Sequence, residues 1–182
     1  MLMDFLFMED SELLQIYFVE GRKNYAFNMI VRKYSERLYW QIRRIVLVHE
    51  DSNDVLQNTF IKVWKGLAKF RQDANLYTWM YRIATNEALN FIKKEKKQVQ
   101  VDESALTNSL KQDPYFNADE AYEKFLLAIR KLPEKQQLVF NLKYFDELKY
   151  KEIAELIGGT EGSLKASYFH AVKKIEKELD IN

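Results

Sequence analysis

No cysteine occurs anywhere in this 182-residue chain, which excludes disulfides, thiolate zinc sites and cysteine nucleophiles and fits a reducing cytoplasm. The 2 histidines, His49 and His170, are too few and too far apart for a histidine-based metal cluster, so no metal is expected. Only 5 glycines and 2 prolines break the chain, and so few breakers favour helices. Long hydrophobic runs are missing as well. The longest, such as residues 45–48 and 125–129, fall far short of the roughly 20 residues a membrane helix needs, so no membrane insertion is expected. Residues 1–8 are apolar but short, interrupted by Asp4 and without a basic lead, which makes a poor signal peptide. Met3 and Met8 are alternative starts.

What is present is an ordinary globular balance, 47% hydrophobic and 30% charged, in a length that fits one medium domain or two small ones. The net charge of +1 conceals an uneven distribution. Residues 1–97 carry 16 basic and 12 acidic side chains, residues 98–120 carry 1 and 5, and residues 121–182 carry 11 and 10. A basic part, an acidic connector and a near-neutral part hint at nucleic acid.

Apolar spacing predicts a helix over 26–48, with Phe27, Ile30, Val31, Tyr34, Leu38, Ile42 and Ile45 on one stripe. His49-Glu50-Asp51-Ser52-Asn53-Asp54 reads as a stop followed by N-cap chemistry, because short oxygen-bearing side chains accept free helix amides. The next helix runs to about Leu67, residues 69–75 read as a loop, and a long helix spans 76–97. Residues 98–120 lose the periodicity and read as a flexible linker. Helical pattern resumes near Ala121. Pro133 starts a helix to about Phe145, residues 149–157 form another, and Glu161 to Leu179 form the last. The expected fold is all-α, with two small helical domains at 1–97 and 121–182 and the linker 98–120 between them.

Tyr150 to Gly158 is a short helix ending in glycine, and a longer helix starts within three residues; this is a helix-turn-helix arrangement. At 100° per residue, Leu164, Tyr168, Ala171, Val172, Ile175 and Leu179 share the packing face of the last helix. Ser163, Ser167, His170, Lys174 and Lys177 share the opposite face, with Lys173 beside them and no carboxylate. Such a face suits phosphate-lined DNA, although a merely solvated helix side looks similar. On the 76–97 helix, Trp79, Arg82, Asn86, Asn90, Lys93 and Lys97 project together, offering cations, carboxamides and a stacking surface. Trp79 alone fits a core position equally well. The loop before it offers Phe70, Arg71, Asp73 and Asn75 to an unstacked nucleotide. Asp54, Gln57, Asn58 and Ile61 face outward on the preceding helix with Trp64 at the edge, a pattern that suits a protein partner. Glu87 falls in an apolar arc without an evident reason.

These residues resemble a known family. Asp54-Val55-Leu56-Gln57-Asn58-Thr59-Phe60, Trp64, Phe70-Arg71 and Trp79-Met80-Tyr81-Arg82-Ile83-Ala84-Thr85-Asn86 are similar to the second domain of extracytoplasmic-function sigma factors of bacterial RNA polymerase. Leu132-Pro133-Glu134-Lys135-Gln136, Tyr144-Phe145, Tyr150 to Gly158 and Gly162-Ser163-Leu164-Lys165 are similar to their fourth domain. The likeness covers about residues 21–97 and 121–180 in the family's order.

The resemblance implies a division of labour. Asp54, Gln57, Asn58, Ile61 and Trp64 would bind the clamp helices of the polymerase's largest subunit, and the fourth domain would meet the flap of the second-largest. Phe70, Arg71, Asp73, Asn75, Trp79, Arg82, Asn86, Asn90, Lys93 and Lys97 would melt and read the −10 element. Gly162, Ser163, Lys165, Ser167, His170, Lys173, Lys174 and Lys177 would read the −35 element. The acidic linker would run near the RNA exit path, and an anti-sigma protein, commonly membrane-bound, would regulate the chain. Family members often carry arginine where this chain has Ser167, His170 and Val172, which implies fewer phosphate contacts or an unusual base preference.

Two other functions compete. A stand-alone helix-turn-helix regulator of duplex DNA explains the last third but leaves the Trp79 and Asp54 surfaces idle. An enzyme is disfavoured, since no glycine-rich phosphate loop appears and the carboxylates are scattered. Asp146-Glu147 reads as a solvated turn. No cofactor and no small-molecule substrate are expected.

Overall fold

The computed structural model describes residues 8–19, 21–71, 75–98 and 120–180, and among them every regular element is a helix. Four come first: α1 (Asp10–Phe18), α2 (Lys23–Val46), α3 (His49–Leu67) and α4 (Leu76–Gln98). Four more follow: α5 (Glu120–Lys131), α6 (Glu134–Tyr144), α7 (Tyr150–Ile157) and α8 (Glu161–Glu178). The expected linker, 98–120, lies outside the described residues apart from its end residues, Gln98 and Glu120. No helix among the described residues is long and apolar enough to cross a membrane.

The stripe read from the sequence is the buried face of α2, where Ile30, Leu38 and Ile42 are fully enclosed. It packs on Val55, Val63 and Leu67 of α3 and on Met80, Ala84 and Ala88 of α4. α1 is an addition that apolar periodicity does not single out. Its first turn carries Asp10 and Glu12, favourable against the positive end of the helix dipole. Leu13, Leu14 and Tyr17 bury its inner side. Asp10 ties it to α2 by accepting from the Tyr34 hydroxyl and, at 2.8 Å, from Lys33.

The α2–α3 corner differs from the expected stop segment. α3 begins at His49 itself, and the turn is only Leu47, at φ 75°, and extended Val48. Glu50 and Asp51 lie inside the first turn of α3, where acidic groups meet free amides as effectively as a cap does. Ser52, expected as a cap, instead donates to the Val48 carbonyl at 2.6 Å.

The second group of helices has its own apolar centres, but residues of the first group complete both. Leu47 joins Leu126, Ile129, Phe140, Ala171 and Ile175. Tyr81 of α4 joins Val139, Leu142, Ile153 and Leu164. The last helix packs as its spacing predicts, with Leu164, Ala171 and Ile175 buried.

Candidate polymerase and nucleic-acid interfaces

Three surfaces carry the candidate residues. On α3, Asp54, Gln57, Asn58 and Ile61 are exposed, and Trp64 is exposed at its edge. Trp64 is oriented by its neighbours: its ring meets Phe27 at 4.9 Å and Tyr17 at 6.2 Å, both edge-on. Edge-to-face packing of this kind fixes an aromatic while leaving part of its surface open. The flank of this face resolves the position of Glu87, which pairs with Lys62 of α3 across the α3–α4 contact. A carboxylate at that half-enclosed site is explained by its cation.

The α4 surface departs from expectation at its start. Phe70 is buried, only 8% exposed, and offers a nucleotide little surface as it stands. Trp79 is half-buried against it, with ring centroids 5.0 Å apart. The space for Trp79 is made by Gly66, where an added Cβ would lie 2.9 Å from the indole. Asn75 caps α4, its side-chain oxygen accepting from the amides of Tyr77 at 2.9 Å and Thr78 at 3.3 Å. Only its amino group is left to offer outward. Arg71 is exposed, and Asp73 lies outside the described residues, as does the side chain of Lys97. Arg82, Asn86, Asn90 and Lys93 form the exposed polar row that the spacing predicts. Two of its cations nevertheless reach the second group of helices: Arg82 donates to the Glu155 carbonyl of α7, and Lys93 pairs with Glu134 at 2.7 Å.

Asp146 corrects the reading of Asp146-Glu147 as a solvated turn. It accepts from the Arg44 guanidinium and, at 2.5 Å, from the Tyr81 hydroxyl. Burial, with the Asp146 charge next in weight, raises the Tyr81 pKa well above the ordinary tyrosine value, so this hydroxyl remains a donor. Glu147 is exposed, at φ 54°.

The helix-turn-helix is formed by α7 and α8. Gly158 ends α7 at φ 79°, ψ 176°, a backbone region essentially restricted to glycine. Gly158→Ala is expected to cost about 1–3 kcal/mol, read as a lower urea midpoint with an unchanged slope. Thr160 caps α8 by accepting from the Ser163 amide at 3.2 Å. Gly162, Ser163, Lys165, His170, Lys173, Lys174 and Lys177 are exposed and Ser167 is half-buried. The two serine hydroxyls donate to their own helix backbone, at the carbonyls of Thr160 and Ser163, both at 2.9 Å. They therefore face a ligand mainly as acceptors. Lys173 pairs with Glu176 at 2.8 Å. Sequence reasoning passed over Phe169, whose ring is 58% exposed on this helix, one turn before Lys173 and two turns after Gly162. The available signal was an aromatic placed outside the apolar stripe.

Together these surfaces define a helix-turn-helix DNA-binding protein that carries, on separate helices, a second polar row and a partly apolar docking face. Comparison with known proteins places it more narrowly. Residues 30–98 match the family model of sigma-70 region 2, and residues 122–175 match that of sigma-70, region 4. The chain is 30% identical over 183 residues to the RNA polymerase sigma-H factor of Pseudomonas aeruginosa, covering 94% of each protein. It is 28% identical over 166 residues to the ECF RNA polymerase sigma-E factor of Escherichia coli, covering 85% of this chain and 86% of the relative. Two solved structures share the fold. The sigma factor RpoE in complex with the anti-sigma factor NepR, from Bartonella quintana, superposes at a TM-score of 0.65 with 20% identity, over 86% of this chain and 98% of that one. CnrH in complex with the cytosolic domain of CnrY superposes at 0.65 with 18% identity, over 95% and 99%. The chain belongs to the sigma-70 family of RNA polymerase sigma factors, in its extracytoplasmic-function group.

Proposed function

We propose that the three surfaces divide promoter-specific initiation among them. The α3 face, Asp54, Gln57, Asn58, Ile61 and Trp64, docks on the clamp helices of the largest polymerase subunit. The α4 row, Arg82, Asn86, Asn90 and Lys93, with Arg71 and the Asn75 amino group, takes the −10 element as it opens. Trp79 and Phe70 hold the start of α4 in place beneath that row. α8 enters the major groove of the −35 element, and its domain meets the flap of the second-largest subunit. The division into domains at 1–97 and 121–182 follows from these roles. The chain acts without catalysis of its own and, like the polymerase and DNA it serves, in the cytoplasm. An anti-sigma protein is the expected regulator; the similar sigma factor RpoE was solved in complex with the anti-sigma factor NepR.

The observation that carries the reading is α8: its buried residues Leu164, Ala171 and Ile175 are apolar, while His170, Lys174 and Lys177 are exposed together on the other side. Purified chain with core polymerase is expected to initiate from a cognate promoter in vitro, whereas the chain alone binds the same duplex weakly, given its net charge of +1. Absence of initiation from every cognate promoter overturns the reading. Tight, sequence-selective duplex binding by the chain alone would make it an unaided regulator instead.

A further inference from the structure

The outward side of α2 holds a row of residues that lies outside the three candidate surfaces. Arg37, Trp40 and Arg44 are three and four residues apart, which sets them side by side along one face of the helix. Arg37 is exposed and Trp40 is 44% exposed, while Leu38 and Ile42 turn the other way into the core. The Arg37 guanidinium lies 4.0 Å over the Tyr77 ring, and that ring stacks on Tyr34 at 5.5 Å and meets Tyr81 edge-on at 5.8 Å. Trp40 is steadied by Tyr39, edge-on at 5.2 Å. Arg44 already binds an anion, the Asp146 carboxylate.

A cation, an indole and a second cation in file suit single-stranded nucleic acid, whose bases stack on aromatics and whose phosphates meet cations. The packing assigns the parts. Tyr77 is half-buried and its ring already meets Arg37, Tyr34 and Tyr81, so it supports the cation and offers a base no platform. Resting on that ring, the guanidinium is pre-oriented and keeps N–H donors for a phosphate. Trp40 is the open platform. Arg37, Trp40 and Arg44 line one cleft with Asn75 and Thr78 at the start of α4. Arg37 to Arg44 is about 10 Å along the helix axis, the length of two or three nucleotides. The facing wall of the cleft is acidic, with Asp146, Glu152 and Glu155. With α8 at its own promoter element, α7 stands there too, and phosphates can meet the α2 cations in place of those carboxylates.

We propose that the Arg37–Trp40–Arg44 row of α2 is a further single-strand DNA site, which takes the unpaired strand where it runs on from the −10 element toward the start site. Trp40 stacks on one base, and Arg37, steadied by Tyr77, pairs with a neighbouring phosphate. The placement on the promoter rests on the −10 role given to α4, because the strand reaches the row past Asn75. Stacking is tolerant of sequence, so the site adds affinity for any unpaired tail and holds the opened strand without changing which promoters are recognised.

Holoenzyme assembled from the full chain and core polymerase is measured on two fork DNAs, one whose unpaired strand ends with the −10 element and one that carries a few nucleotides more. The parent is expected to bind the longer fork about tenfold more tightly. Trp40→Ala and Arg37→Ala should each lose most of that gain while matching the parent on the short fork. Removing single bases from the tail locates the stacked one: at that abasic position the parent weakens and Trp40→Ala weakens no further. Arg37→Ala should also lower the salt slope of long-fork binding by about one. Circular dichroism checks that each variant is folded; if Arg37→Ala is not, Arg37→Gln, which keeps the stem on Tyr77, takes its place. No gain in the parent overturns the site, and so does a gain that the folded variants keep, the polymerase then holding the tail. Arg82→Ala separates the two readings: weaker binding of the short fork upholds the −10 role of α4, and unchanged binding removes that role whatever the tail does.

Discussion

Ile61→Asp is expected to lower affinity for core polymerase by about thirtyfold or more while leaving the folded chain intact. Ile61 is 45% exposed, so the substitution removes little from the core of the chain itself, and its effect on stability should stay within about 0.5 kcal/mol. At a docked interface the same change places a carboxylate where an apolar side chain met its partner. Central anchors of interfaces are worth about 2 kcal/mol or more, and about 1.4 kcal/mol corresponds to a factor of ten. Trp64→Ala provides the contrast. It should weaken polymerase binding too, but it also lowers thermal stability, because the indole edge is packed against Phe27 and Tyr17. Equilibrium binding to core polymerase, paired with thermal unfolding, separates the two. If Ile61→Asp binds polymerase like the parent chain, the docking face lies elsewhere.

The exposed stripe of α3 was legible because helix spacing alone decides which residues share a side, and among the described residues Asp54, Gln57, Asn58 and Ile61 stay exposed. The same holds for α8, whose buried Leu164, Ala171 and Ile175 follow from a 3.6-residue period. Where the reading failed, a contact far along the chain decided the outcome. Asp146 and Glu147 have the composition of a solvated turn, yet Asp146 is held by Arg44, 102 residues earlier, and nothing in local pattern announces that partner. Trp79 projects to the polar side of α4 by angle, but the missing side chain at Gly66 opens a slot that draws the indole inward onto Phe70. Glu87 was unexplained for the same reason, its cation being Lys62 on another helix. The α2–α3 corner failed differently: acidic residues suit both the cap and the first turn, so composition could not tell His49 to Asp54 outside a helix from the same residues inside one.

Phe169→Ala is expected to reduce initiation at a cognate −35 element roughly tenfold without unsettling the fold. A ring 58% exposed contributes little to the core, so stability should change by no more than about 0.5 kcal/mol. On a helix lying in the major groove, an exposed apolar side chain reads the one apolar group displayed there, the thymine methyl, and a good base contact is worth about 1–3 kcal/mol. The sensitive test is chemical rather than sequence-based. Replacing a −35 thymine by deoxyuridine removes only the methyl, so the parent chain should lose initiation at the contacted position while Phe169→Ala, already without the contact, loses little more. Lys174→Ala should behave unlike either. A phosphate contact weakens binding to all sequences alike and lowers the salt slope by about one. If deoxyuridine costs Phe169→Ala as much as it costs the parent at every thymine, the methyl is read by another group on α8 and the ring of Phe169 serves a different contact.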